Sequence, residues 1–165
     1  MVFKFRPLSF AMLLVMNIEE IKRKVRDAAK WISDNDSSVW YTSELNICSH
    51  LRQVLHTQFP EYDLDVELVK YNNQRPDITI HHRGNNSDNF VVFEVKKNPT
   101  LKQFTSDLRK IESTYFNEPY NYRYGILVSI GKLPSPLPTF DTSKIGILEV
   151  YGWEEVVEPA KNYAL

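Results

Sequence analysis

Cysteine is almost absent from this chain. Its 165 residues include one, Cys48, which excludes an internal disulfide and a cysteine-rich zinc site and fits a reducing compartment. An excess of charge of one sign is lacking as well: 20 Lys and Arg face 21 Asp and Glu, for a net charge of −1. That balance neither requires nor excludes a polyanionic partner, and a local basic patch matters more than the total. Long apolar runs are also missing. The strongest, residues 8–16 behind Lys4 and Arg6, superficially resembles a signal peptide but is too short to span a bilayer and has no A-x-A-like cleavage site. Met16-Asn17-Ile18-Glu19-Glu20 reads as a natural beginning, with Asn17 as N-cap and Glu20 three residues on. Residues 1–16 are therefore expected to be an N-terminal extension that is not the native start. A single domain over 17–165 follows, in a cytoplasmic protein with no membrane partner. Repeats and low-complexity segments do not occur.

What remains has the make-up of a globular domain large enough for a hydrophobic core. Ile18, Ile21, Val25, Ala28, Ala29 and Ile32 form one helical stripe, and residues 33–38 read as a polar break. A second helix starts near Thr42 or Ser43, carries Ile47, Cys48, Leu51, Val54 and Leu55 on one face, and is closed by Pro60. Alternation over 63–71 predicts a half-buried strand; 77–82 and 89–97 predict two more, the last apolar on both faces and therefore central. Thr100 with Gln103 forms a capping box before a helix striped by Leu101, Phe104, Leu108 and Ile111. Strands are expected over 122–130 and 144–151, separated by a proline-stiffened loop at 131–139, and a short acidic helix over 153–164.

Arg75-Pro76-Asp77 and Glu94-Val95-Lys96, with sixteen residues between Asp77 and Glu94, carry the chemistry. The Asn, Gly, Ser and Asp of 84–89 predict a hairpin turn, so the start of one strand lies beside the end of the next. Glu94 and Lys96 are two apart and share a face. Phosphodiester cleavage needs a hard cation, a placed water and stabilisation of the leaving oxygen. Asp77, Glu94 and the Val95 carbonyl supply oxygens of the kind Mg²⁺ prefers. Lys96 is placed to orient or deprotonate the water, the latter only if the metal and partial burial lower its pKa.

Pro76-Asp77 with Glu94-x-Lys96 resembles the signature of the PD-(D/E)xK nuclease superfamily, and the element order from Thr42 to Ile130 matches that group's core. The resemblance implies an α/β protein: a mixed β-sheet flanked by helices, an αβββαβ restriction-endonuclease-like core with an extra N-terminal helix. It implies an Mg²⁺-dependent endonuclease hydrolysing DNA, with Mn²⁺ as a substitute, and catalytic residues Asp77, Glu94 and Lys96. Members often carry a Glu on the first core helix, and Glu44 takes that place as a fourth catalytic residue and metal ligand, with Glu67 as its backup. A first-turn Glu favoured by the helix dipole explains Glu44 equally well.

Lys97, Lys102, Arg109 and Lys110 make the segment from Lys96 to Lys110 locally basic and are candidate phosphate contacts, Lys97 and Lys102 first among them. Gln103 joins them by resemblance, although its capping role suffices. His81, His82 and Arg83 are expected to be solvent-facing hairpin residues, and the aromatics Tyr120, Tyr122, Tyr124 and Trp153 to pack in the core and on the sheet. With no separate recognition domain, specificity would come from loops or from homodimerisation. The alternative reading is a non-catalytic nucleic-acid- or protein-binding module that retains the nuclease fold.

Overall fold

The computed structural model describes residues 16–151 and 155–157. It is an α/β protein in three layers, built on a six-stranded mixed sheet. Helix α1 spans Ile18–Asp36 and α2 Glu44–Gln58. Strands β1 (Asp63–Val66), β2 (Ile78–His82) and β3 (Asn85–Lys97) follow, then α3 (Leu101–Lys110), β4 (Tyr124–Ile130), β5 (Ile145–Tyr151) and β6 (Glu155–Val157). The strands lie in sequence order; β3, β4 and β5 run parallel, and β1, β2 and β6 antiparallel to their neighbours. Among the described residues no helix is long and apolar enough to cross a membrane.

The helix starts follow from short polar side chains that take up otherwise unpaired N–H groups. Asn17 accepts from the Glu20 N–H, Ser43 from Asn46, and Thr100 and Gln103 close a reciprocal box on α3. Helix α1 continues into the polar segment 33–38 and ends inside it, at Asp36. A 3₁₀ turn at Ser37–Tyr41 then buries Val39 and Trp40.

Alternation along β3 divides the core in two. Val91, Phe93 and Val95 join α1 and α2 on one face, with Ile126, Val128, Leu148 and Val150. Val92 lies on the other face with Phe104, Leu108, Ile111 and Tyr115, alongside Leu127, Ile145 and Ile147. Strands covered on both faces need apolar residues on both, which is why β3 and β4 read as continuous runs. Two glycines allow the helices to come close. A Cβ on Gly125 would meet Ile111 Cγ2 at 2.5 Å, and one on Gly146 would meet Lys22 Cγ at 2.7 Å.

Four expectations need correcting. β1 ends at Val66 rather than near Tyr71, because Glu67 takes a φ of 46° that breaks the alternation. The hairpin turn is tighter than 84–89: β3 already begins at Asn85, with register shifts against His81 and His82. Leu101 on α3 is exposed at 43%. Glu155–Val157, placed in an acidic helix by sequence, pair antiparallel with β5; the remainder of that segment, and residues 1–15, lie outside the described residues. Tyr120 and Tyr122 are buried as expected.

Candidate active site

Asp77 precedes β2 by one residue, and its backbone N–H donates to the Phe93 carbonyl at 3.1 Å. Its Oδ2 accepts from the Val95 N–H at 2.6 Å. The antiparallel pair Ile78–Phe93 therefore places Asp77 beside Glu94, one step further along the ladder. The side chain is fixed by β3's own backbone, at the point where Glu94 and Lys96 leave the same strand face.

Glu94 is the most deeply buried acid of the group, 2% exposed. Lys110, at the end of α3, donates to its Oε1 at 2.6 Å and lies 5.3 Å above the Tyr115 ring. Burial pushes the Glu94 carboxyl up to about 7, and the negative charge of Asp77 adds to this against Lys110. Asp77 is raised too, by burial, despite the Val95 N–H and the charges of Lys96 and Lys110. A buried acid whose pKa is raised both by burial and by a neighbouring carboxylate is short of cationic charge, even with Lys110 bonded to it.

The Lys96 ammonium lies 3.5 Å from Glu44 Oε2. Burial pulls its pKa down, but Asp77, Asp107, Glu44 and Glu94 together outweigh burial and hold it above the ordinary lysine value. Lys96 thus stands as a charged donor in this arrangement. The lowered pKa that a base would need would have to come from the charge of a bound cation. Glu44 bridges two elements. It sits in the first turn of α2 and also reaches the sheet, accepting from the Lys97 N–H at 3.0 Å. The Lys97 ammonium donates to the Thr42 carbonyl at 2.8 Å, so it ties the start of α2 to the end of β3 in addition to any contact with a ligand. Lys102 is exposed, and Gln103 is engaged in the capping box.

Three residues that the sequence reading did not place here complete the cluster. By type Lys110 is one of several basic residues on α3, and the structure gives it Glu94. Asp107, one turn earlier, is raised by burial and faces Lys96, Lys110, Asp77 and Glu44; its Oδ2 is buried without a hydrogen-bond partner. Tyr115 lies within electrostatic reach of Glu94, and its buried hydroxyl makes no hydrogen bond of normal geometry. Charged residues three apart beside an apolar helix stripe are common, so nothing in the pattern of α3 singled these out.

Four carboxylates (Glu44, Asp77, Glu94 and Asp107) thus face two ammoniums, Lys96 and Lys110. With all four ionised the surplus is two negative charges, carried by oxygens alone, with one buried oxygen, Asp107 Oδ2, unpartnered. Such a donor set fits a hard divalent cation. Among the described residues no group of three or more His, Cys, Asp or Glu side chains is close enough to hold a metal; Lys96 and Lys110 stand among the acids. Glu67 is exposed, and its backbone N–H donates to the Asp77 carbonyl at 3.1 Å, which places it beside the cluster. A groove of about 710 Å³ between α1 and α2, lined in part by Trp31, His50 and Val54, shares no residue with it.

His81 corrects another expectation. It is 4% exposed, not solvent-facing, with Nε2 2.8 Å from Asp65 Oδ2 and Nδ1 3.5 Å from the Lys70 ammonium. Asp65 also accepts from Arg83, whose side chain is exposed. Burial lowers the His81 pKa, and the hydrogen bond from Arg83 lowers that of Asp65. Both signs make acid destabilising. Below about pH 6.5 the unfolded imidazole takes up a proton that the folded one resists. Below about pH 4 the unfolded Asp65 carboxyl does the same, until the folded group titrates at still lower pH. The melting temperature should therefore fall on acidification, and Asp65→Asn should flatten the limb below pH 4. A variant limb as steep as that of the parent would contradict this assignment.

Comparison with known proteins adds no relative: no protein-family model matches the chain, and no curated protein or solved structure is significantly similar to it.

Proposed function

We propose that the chain is an Mg²⁺-dependent endonuclease that hydrolyses phosphodiester bonds of DNA, built on the αβββαβ core of the restriction-endonuclease-like fold. The observation that carries this reading is the Asp77 carboxylate bonded to the β3 backbone at Val95, between Glu94 and Lys96. The element order α2-β1-β2-β3-α3-β4 supports it. So does the position of the site at the ends of parallel strands, where α/β sheets commonly bind ligands.

Asp77, Glu94 and the Val95 carbonyl would hold the cation, with Glu44 at its margin. The cation would neutralise phosphate charge and acidify a bound water. The protein's own contributions follow from the geometry. The Val95 N–H fixes the Asp77 rotamer, and burial keeps bulk water away from Glu94. Lys96, held charged and steered by Glu44, orients the attacking water and stabilises charge building on the phosphate oxygens. Lys102 and the exposed face of α3 supply sequence-independent contacts to the backbone phosphates.

A second reading keeps the fold without catalysis, and the ion pairs Lys110–Glu94 and Lys96–Glu44 favour it by occupying the acids. The two are separated by incubating the purified chain with plasmid and with single-stranded DNA in Mg²⁺, Mn²⁺ or EDTA. Cutting with either metal and none in EDTA is expected. DNA binding without cutting under any metal would establish the module.

A further inference from the structure

We infer that Lys110 is a built-in counter-cation for Glu94, which a divalent metal must displace before the site is complete; this rests on the metal-dependent reading above. Glu94 is 2% exposed and its Oε1 is 2.6 Å from the Lys110 ammonium. A carboxylate buried to that degree is costly unless paired, and without a bound metal Lys110 is the ammonium that bonds to it. A divalent cation on the same carboxylate would face that ammonium across a few ångströms of poorly screened space, so the two compete.

The surroundings give Lys110 somewhere to go. Its side chain is 28% exposed, whereas Glu94 is sealed. The Tyr115 ring lies under the ammonium at 5.3 Å, offering a face that attracts a cation as it withdraws. Asp107, three residues back on α3, holds a buried oxygen with no hydrogen-bond partner and already feels the Lys110 charge. Lys110 therefore has two carboxylates within its range: Glu94, which it bonds in the metal-free protein, and Asp107, to which it turns once Glu94 is taken. The device keeps the buried acid satisfied in the absence of metal and sets a threshold for loading. Lys110 is a positioning residue; it acts through Glu94.

The test is Mn²⁺ binding by titration calorimetry, with melting temperatures, for the parent chain, Lys110→Met and Lys110→Arg. Lys110→Met should melt lower without metal, bind Mn²⁺ more tightly by about tenfold, and gain more stability from saturating Mn²⁺ than the parent does. Lys110→Arg keeps the charge and should stay near the parent. Equal or weaker Mn²⁺ binding by Lys110→Met overturns the inference while leaving the metal site standing. No Mn²⁺ binding by any of the three proteins would overturn the metal reading itself, and the inference with it. Should Lys110→Met fail to fold, the ammonium ¹⁵N resonance of Lys110 in the parent decides: it must shift on Mg²⁺ saturation, and an unchanged resonance overturns the displacement.

Discussion

Asp77→Asn should reduce metal-dependent DNA cleavage by on the order of 10³-fold while leaving the fold intact. The amide oxygen can still accept the Val95 N–H that Asp77 Oδ2 accepts at 2.6 Å, so the link between β2 and β3 survives. The negative charge does not. Because burial already raises the Asp77 pKa, removing that charge also relieves Glu94 and costs little stability. Asp77→Ala separates the two effects. It loses the charge and also leaves the Val95 N–H unpaired, at about 1–3 kcal/mol. Steady-state cleavage and thermal melting on both variants check the argument. Cleavage by Asp77→Asn within a few-fold of the parent would remove Asp77 from the chemistry.

Phe93→Ala should cost about 3–5 kcal/mol of stability, by lost transfer energy and by the cavity left behind. Phe93 is fully buried, on the strand that also carries Glu94 and Lys96, and its face meets α1 and α2. It pairs with Ile78 across the ladder and with Ile126 on the other side, so neighbours from two strands would have to collapse to fill the space. In a chain of this size the loss corresponds to a fall in melting temperature of roughly 10 °C. Calorimetry or urea unfolding measures it. A loss under about 1 kcal/mol would mean that the central strand is not packed as tightly as its burial states.

Sequence pattern carried most of the scaffold. The stripe of Ile21, Val25, Ala28 and Ile32, the caps at Asn17, Ser43 and Thr100, and the two-sided apolar run of β3 each state a local preference that packing then uses. The Asp77–Glu94–Lys96 arrangement was legible for the same reason: hairpin geometry converts a sequence interval into a spatial one. Two kinds of feature were not legible. Glu67 breaks β1 through a positive φ, a backbone choice that its side chain does not announce. His81 and Lys110 look like surface residues by type, and only the partners brought by other elements, Asp65 on β1 and Glu94 on β3, reveal their burial and role. The α3 contribution to the site depends on the crossover from β3 to β4, which sequence periodicity does not orient. At Lys96 the residue type allows either orienting or deprotonating the water, and the carboxylates gathered around it hold the ammonium charged in the metal-free protein.

The central claim is that Asp77 and Glu94 share one divalent cation. Crystals grown or soaked with Mn²⁺, measured at a wavelength where manganese scatters anomalously, test it without relying on activity. A single anomalous peak is expected between the two carboxylates, bonded to an oxygen of each and to the Val95 carbonyl at about 2.1–2.2 Å, with Lys110 no longer on Glu94. Well-ordered crystals at saturating Mn²⁺ with no peak at these carboxylates, and Lys110 still bonded to Glu94, would contradict it.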